Sequence, residues 1–211
     1  PPSSFGKMPS AEIAAVIRFL LGEQTELEKV PQEAWAKLDL KDAKLLITQA
    51  FVQDSKKTPV VFIIEPWMKA HDKSHASEPG AAWRDLEEML MLAPQSRRAD
   101  IAASLWPLIS RVAPGKDLLE MLSPLAQSPA RNELILAIPA STYEKMESAE
   151  IAALIRLLVN VDGETYEKIA KKAGTRLNRQ DAEFLAEAAY KSGRQDSPTG
   201  IDALNEKKVG L

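Results

Sequence analysis

His71-Asp72-Lys73-Ser74-His75 holds the chain's two histidines, and their i, i+4 spacing would set both imidazoles on one face of a helix. The zinc-hydrolase motif H-E-x-x-H presents two metal ligands and a general base in this way. On that reading His71 and His75 bind a metal and the protein is a metal-dependent hydrolase. Two features count against it. Lys69, Asp72, Lys73 and Ser74 are polar where a zinc helix lines a dry cleft, and Asp72 is one carbon shorter than the glutamate that would reach a metal-bound water. A solvated helix end or loop fits these neighbours better, so no metal or other cofactor is expected.

Other chemistry is thinner still. Val161-Asp162-Gly163-Glu164 offers oxygen ligands, but a calcium loop spaces them at alternate positions over ~12 residues, and a turn on Gly163 is the simpler reading. No Gly-x-Ser-x-Gly elbow or Gly-rich phosphate loop frames a Ser, Asp or Glu. With no cysteine, disulfides, thiolate zinc sites and cysteine nucleophiles are all excluded. Arg18 and Arg156 stand at the edges of two matching apolar stripes, where a long side chain lies over the core with its guanidinium near a carboxylate.

Recognition of another protein is the remaining possibility, and the aromatic residues carry it. Of the tryptophans Trp35, Trp67, Trp83 and Trp106, the last continues a helical stripe from Leu105 and reads as core. Trp67 differs, standing with Met68 just after Pro66 and beyond the apolar run Val60 to Ile64. A partly exposed patch is expected there, with Trp67, Met68, Phe62 and Trp83 as partner-binding residues.

Charge and hydropathy narrow the partners. The 27 basic and 30 acidic side chains are interspersed and give a net charge of -3. The densest basic clusters are pairs such as Arg97-Arg98, Lys171-Lys172 and Lys207-Lys208, too small for a phosphate-binding stripe, so no nucleic acid is expected. The longest apolar stretch, Pro59 to Ile64, is far short of the ~20 residues of a membrane span. The opening Pro1-Pro2-Ser3-Ser4 reads as a linker over 1–9, and a start without Met favours a secreted or periplasmic protein or a fragment of a larger one.

The elements that would position these residues are helices. Ser10 to Leu21 (SAEIAAVIRFLL) laid over Ser148 to Val159 (SAEIAALIRLLV), at a shift of 138, gives nine identities in twelve positions. At a shift of 139 Glu28-Lys29-Val30 meets Glu167-Lys168-Ile169, and Leu38-Asp39 to Ala43 meets Leu177-Asn178 to Ala182. Each copy reads as one helix N-capped by Ser10 or Ser148, a short connecting helix, and a second long helix capped by Asp39 or Asn178. In the first copy that last helix should bury Ala43, Leu46, Ile47, Ala50 and Phe51, and in the second Ala182, Leu185, Ala186, Ala189 and Tyr190.

Between the copies Ala99 to Ala103 faintly echoes the repeat, and further segments are fenced by Ser, Pro and Gly. Val60 to Ile64 could be a strand, but Thr58-Pro59 is an equally good helix start and a lone strand has nothing to pair with. The expected fold is all-α, about eight or nine helices in a helical-repeat or α-superhelical bundle. One domain over 10–194 would hold an internal duplication of about 45 residues, with copies at 10–54 and 148–193, a middle at 55–147 and a tail at 195–211. The function expected is a non-enzymatic protein-interaction or scaffold domain that binds a protein or peptide. The His71/His75 hydrolase and a purely structural spacer are the alternatives.

Overall fold

A computed structural model describes residues 2–21, 23–53, 60–123, 129–158, 168–169, 171–173 and 176–183. Among them are thirteen α-helices and two 3-10 helices with described bounds, further helical residues at 168–169, 171–173 and 179–183, and no strand. The chain packs as two compact units, Pro1–Ile109 and Ser110–Leu211. Among the described residues no helix is long and apolar enough to cross a membrane.

The first unit contains α1 (Ser10–Phe19), α2 (Gln24–Leu27), α3 (Gln32–Lys37), α4 (Leu40–Gln53), α5 (Val61–Ala70), α6 (Asp72–His75), α7 (Ala81–Met91) and α8 (Arg98–Ser104). Helix α9 (Trp106–Val112) follows, and Trp106 is buried as expected. The second unit holds α10 (Gly115–Leu122), α11 (Pro129–Ala137), α12 (Ala140–Tyr143) and α13 (Ser148–Arg156). The tail 195–211, the segment Val161 to Glu164 and residues 184–193 of the second copy lie outside the described residues.

Proline starts many of these helices. Pro9, Pro31, Pro114 and Pro139 each occupy the residue before α1, α3, α10 and α12, with φ between -71° and -60° and ψ between 151° and 161°. The ring fixes that φ, and the amide hydrogen it lacks would have been an orphan at a helix start. Before α7 the same place is taken by Gly80 at φ 82°, a left-handed conformation that costs a side-chain-bearing residue about 1–2 kcal/mol. Residues Pro2–Lys7, expected as linker, form a 3-10 helix, and Lys37 Nζ donates to the Gly6 carbonyl.

The caps of the long helices follow the sequence in one half and depart from it in the other. Asp39 caps α4 by accepting from the Asp42 amide at 2.8 Å, and Asn178 does the same for the Asp181 amide at 2.8 Å. Ser10 and Ser148, by contrast, do not cap their own helices. They are the first residues of α1 and α13, and the residues before them, Pro9 and Glu147, take the extended cap conformation. Each hydroxyl reaches across its unit instead. Ser10 Oγ accepts from the Asp39 amide at 3.0 Å and donates to Asp42 Oδ2 at 2.5 Å. Ser148 Oγ accepts from the Asn178 amide at 2.7 Å and donates to Asp181 Oδ2 at 2.5 Å. The serine therefore clasps the start of one helix to the start of another, filling the cap site with a tertiary bond.

The cores follow the expected stripes in part. Of the α1 stripe Ile13, Val16, Ile17, Leu20 and Leu21, only Ile13 and Ile17 are buried and the other three are half buried, whereas Ala43, Leu46, Ile47 and Ala50 are buried in the first unit and Ile151, Leu154, Ile155, Leu158 and Ala182 in the second. Phe51 is only half buried, and the Arg97 guanidinium lies 5.7 Å over its ring. Arg18 and Arg156 are both exposed.

Candidate functional site

Helix α5 presents two faces set by its own spacing. Ile63, Ile64, Trp67 and Met68 fall at i, i+1, i+4 and i+5 and are 0–3% exposed. Phe62, Glu65, Pro66 and Lys69 fall at i, i+3, i+4 and i+7 and line an open groove of about 310 Å³ with Leu27, Glu28, Val30, Gln32 and Trp35. The groove runs between α5 on one side and α2 and α3 on the other. Its floor is the buried Trp35 with Leu27, and its rim carries two glutamates and one lysine.

Proline inside α5 belongs to this groove. Pro66 has no amide hydrogen, so the Phe62 carbonyl loses its i+4 donor, yet α5 runs on to Ala70 with the proline among the groove-lining residues. Across the groove Gln32 Nε2 donates to the Pro66 carbonyl at 3.3 Å, tying α3 to α5. Behind the groove the Trp67 indole donates to the Leu38 carbonyl at 2.7 Å, which accounts for its buried polar atom and anchors the end of α3.

The partner-binding residues expected from sequence thus separate. Phe62 is half exposed in the groove, whereas Trp67, Met68 and Trp83 are 2%, 3% and 9% exposed and belong to the core. The expected patch around Trp67 is corrected on that account. Helix α5 runs on through Pro66 and places Trp67 on its buried face.

The histidines are also placed differently from a solvated helix end. The His71 ring stacks on Trp67 at a centroid distance of 4.0 Å, and its Nδ1 lies 2.9 Å from the Trp67 carbonyl. His75 Nε2 is 3.0 Å from Asp85 Oδ2, with side chains 8% and 18% exposed, which joins α6 to α7. The i, i+4 spacing does bring the rings near one another, 6.1 Å apart, but each has a ring nitrogen engaged within the fold. Among the described residues no group of three or more His, Cys, Asp or Glu side chains is placed to hold a metal ion.

Glu65, Pro66, Lys69 and Val30 were not singled out from the sequence. The signal for them was present in the complementary spacing 62, 65, 66, 69 against 63, 64, 67, 68, once a helix is assumed through Pro66. Nothing in the sequence indicates which helix faces them. Compared with known protein families, curated proteins and solved structures, the chain matches none.

Proposed function

We propose that this chain is a non-enzymatic interaction domain that anchors a short segment of a partner protein in the groove between α3 and α5. The observation that carries this reading is the outward face of α5. Phe62 and Pro66 supply apolar surface while Glu65 and Lys69 supply charge, and none of the four is among the core residues. A volume of about 310 Å³ is at the small end of ligand sites. It suits an anchoring side chain with its flanking backbone better than a large cofactor.

We further infer that the two ends descend from one duplicated helical unit, so that the architecture is a partial helical repeat. The twelve-residue match supports this, and so do the paired bonds of Ser10 with Asp39 and Asp42 and of Ser148 with Asn178 and Asp181. In this reading the copies are framework and the groove face of α5, outside both copies, is the specific part.

A fluorescence-polarisation screen tests the groove, using labelled nine-residue peptides with a central Leu, Phe or Trp flanked by Lys or Glu. Saturable binding by a subset is expected, weakened about tenfold or more by Phe62→Arg with little change in melting temperature. Equal binding to the variant, or no binding by any peptide, overturns the reading.

A further inference from the structure

We infer a second docking surface, distinct from the groove: the outer stripe of α1 receives an amphipathic helix from a partner protein, with the chemistry of this chain's own α10. The observation is a systematic difference between matched positions. Glu12, Ala15, Val16, Phe19 and Leu20 lie at i, i+3, i+4, i+7 and i+8, one continuous stripe of α1. Their counterparts in α13 and just beyond it are Glu150, Ala153, Leu154, Leu157 and Leu158, equally apolar after the first residue. In the second unit Leu154 and Leu158 are buried, and Glu150, Ala153 and Leu157 are half buried. In the first unit Glu12, Ala15 and Phe19 are exposed, Phe19 to 87%, and Val16 and Leu20 are half buried. The flanking residues shift the same way, since Tyr143 and Met146 are buried whereas Phe5 and Met8 are half exposed.

The occupant is named by what lies on α13. Helix α10 packs there, with Leu118 and Leu122 fully buried. Its first residue, Gly115, is so close to Glu150 that a Cβ would stand 2.6–2.9 Å from the carboxyl group. The positive end of α10 thus rests beside a carboxylate. Glu150 shares that role with its own helix, because Oε2 also accepts from the Glu147 amide at 2.9 Å in a capping box. In the first unit Pro9 stands in place of Glu147 and has no amide hydrogen, so the Glu12 carboxylate is spared that duty. Charge complementarity then favours a helix start beside Glu12. The docking helix should read small-x-x-Leu-x-x-x-Leu, with Gly or Ala first and the two Leu on the Val16–Leu20 side.

A helix-stapled, fluorescently labelled peptide of residues 113–123, titrated with the full chain, tests this. Saturable binding is expected, reduced about tenfold or more by Val16→Asp and by Glu12→Lys in the protein and by Gly115→Leu in the peptide. Should Val16→Asp fail to fold by circular dichroism, Glu12→Lys at the exposed end of the stripe carries the test alone. Absence of binding overturns the proposal, and so does binding indifferent to these variants, which would mean the peptide replaces α10 on α13. Concentration-dependent self-association abolished by Val16→Asp also overturns it, because the occupant would then be a second copy of the chain.

Discussion

Helices α1 and α13 carry nearly the same residues and make the same serine clasp, and they differ in what lies against them. The second has α10 packed against it, with Gly115 beside Glu150 of the outer stripe, and the first leaves that stripe half open. The clasp is written in the chain at each site, since a serine, an amide 29 or 30 residues on, and a carboxylate three further suffice to make it. Cover is not written there. Nearly identical stripes are buried or half buried in one unit and half buried or exposed in the other, so an apolar stripe declares only that a helix has something to bury.

The largest effects should expose that difference in cover. Leu154→Ala removes side-chain atoms from a fully buried position and should cost about 2–5 kcal/mol, whereas Val16→Ala at the half-open counterpart should cost about 1 kcal/mol or less. Urea unfolding of both variants measures this, and equal losses would remove the contrast. Where the units agree, the effects should agree. Ser10→Ala frees the Asp39 amide and the Asp42 carboxylate, and Ser148→Ala frees the Asn178 amide while Asp181 Oδ2 keeps the Asn178 Nδ2 bond at 2.8 Å, so each should cost about 1 kcal/mol. A gap between them well beyond the error of unfolding measurements would show that the clasps are not equivalent.

The smallest effect lies outside the comparison and calibrates it. The Lys44 ammonium, bonded to Glu88 at 2.8 Å between α4 and α7, holds the Glu88 carboxyl below the usual carboxylate range. A carboxyl lowered in the folded state adds stability above its unfolded value and loses it as the pH falls through the folded value. The site is exposed, so the change should be barely measurable in stability, while an NMR titration should show Glu88 returning toward the ordinary range in Lys44→Met.

Local patterns were legible in the sequence, and most tertiary choices were not. The all-helical class, the stripes of α4 and α13, and the Asp39 and Asn178 caps follow from periodicity and short-range bonding. The serines were misjudged because their partners lie near position 40 or 180, beyond any local rule for a helix start. Trp67 departs from the expected exposed patch because α5 runs on through Pro66 and sets Trp67 on the buried face with Ile63, Ile64 and Met68. The groove stayed hidden because Phe62 and Lys69 acquire a wall only when α3 comes to face α5 through the Gln32 and Trp67 hydrogen bonds.

The serine clasps also bear on the order in which the chain assembles. Each joins positions 29 or 30 apart, so closing the loop costs roughly 3 kcal/mol beyond a constant term, modest beside pairing the two ends of the whole chain. Helical proteins rich in contacts of low sequence separation fold fastest, which favours an early place for the clasps. Removing a clasp hydroxyl should therefore slow refolding more than it speeds unfolding, a signature that stopped-flow kinetics can read separately for each serine.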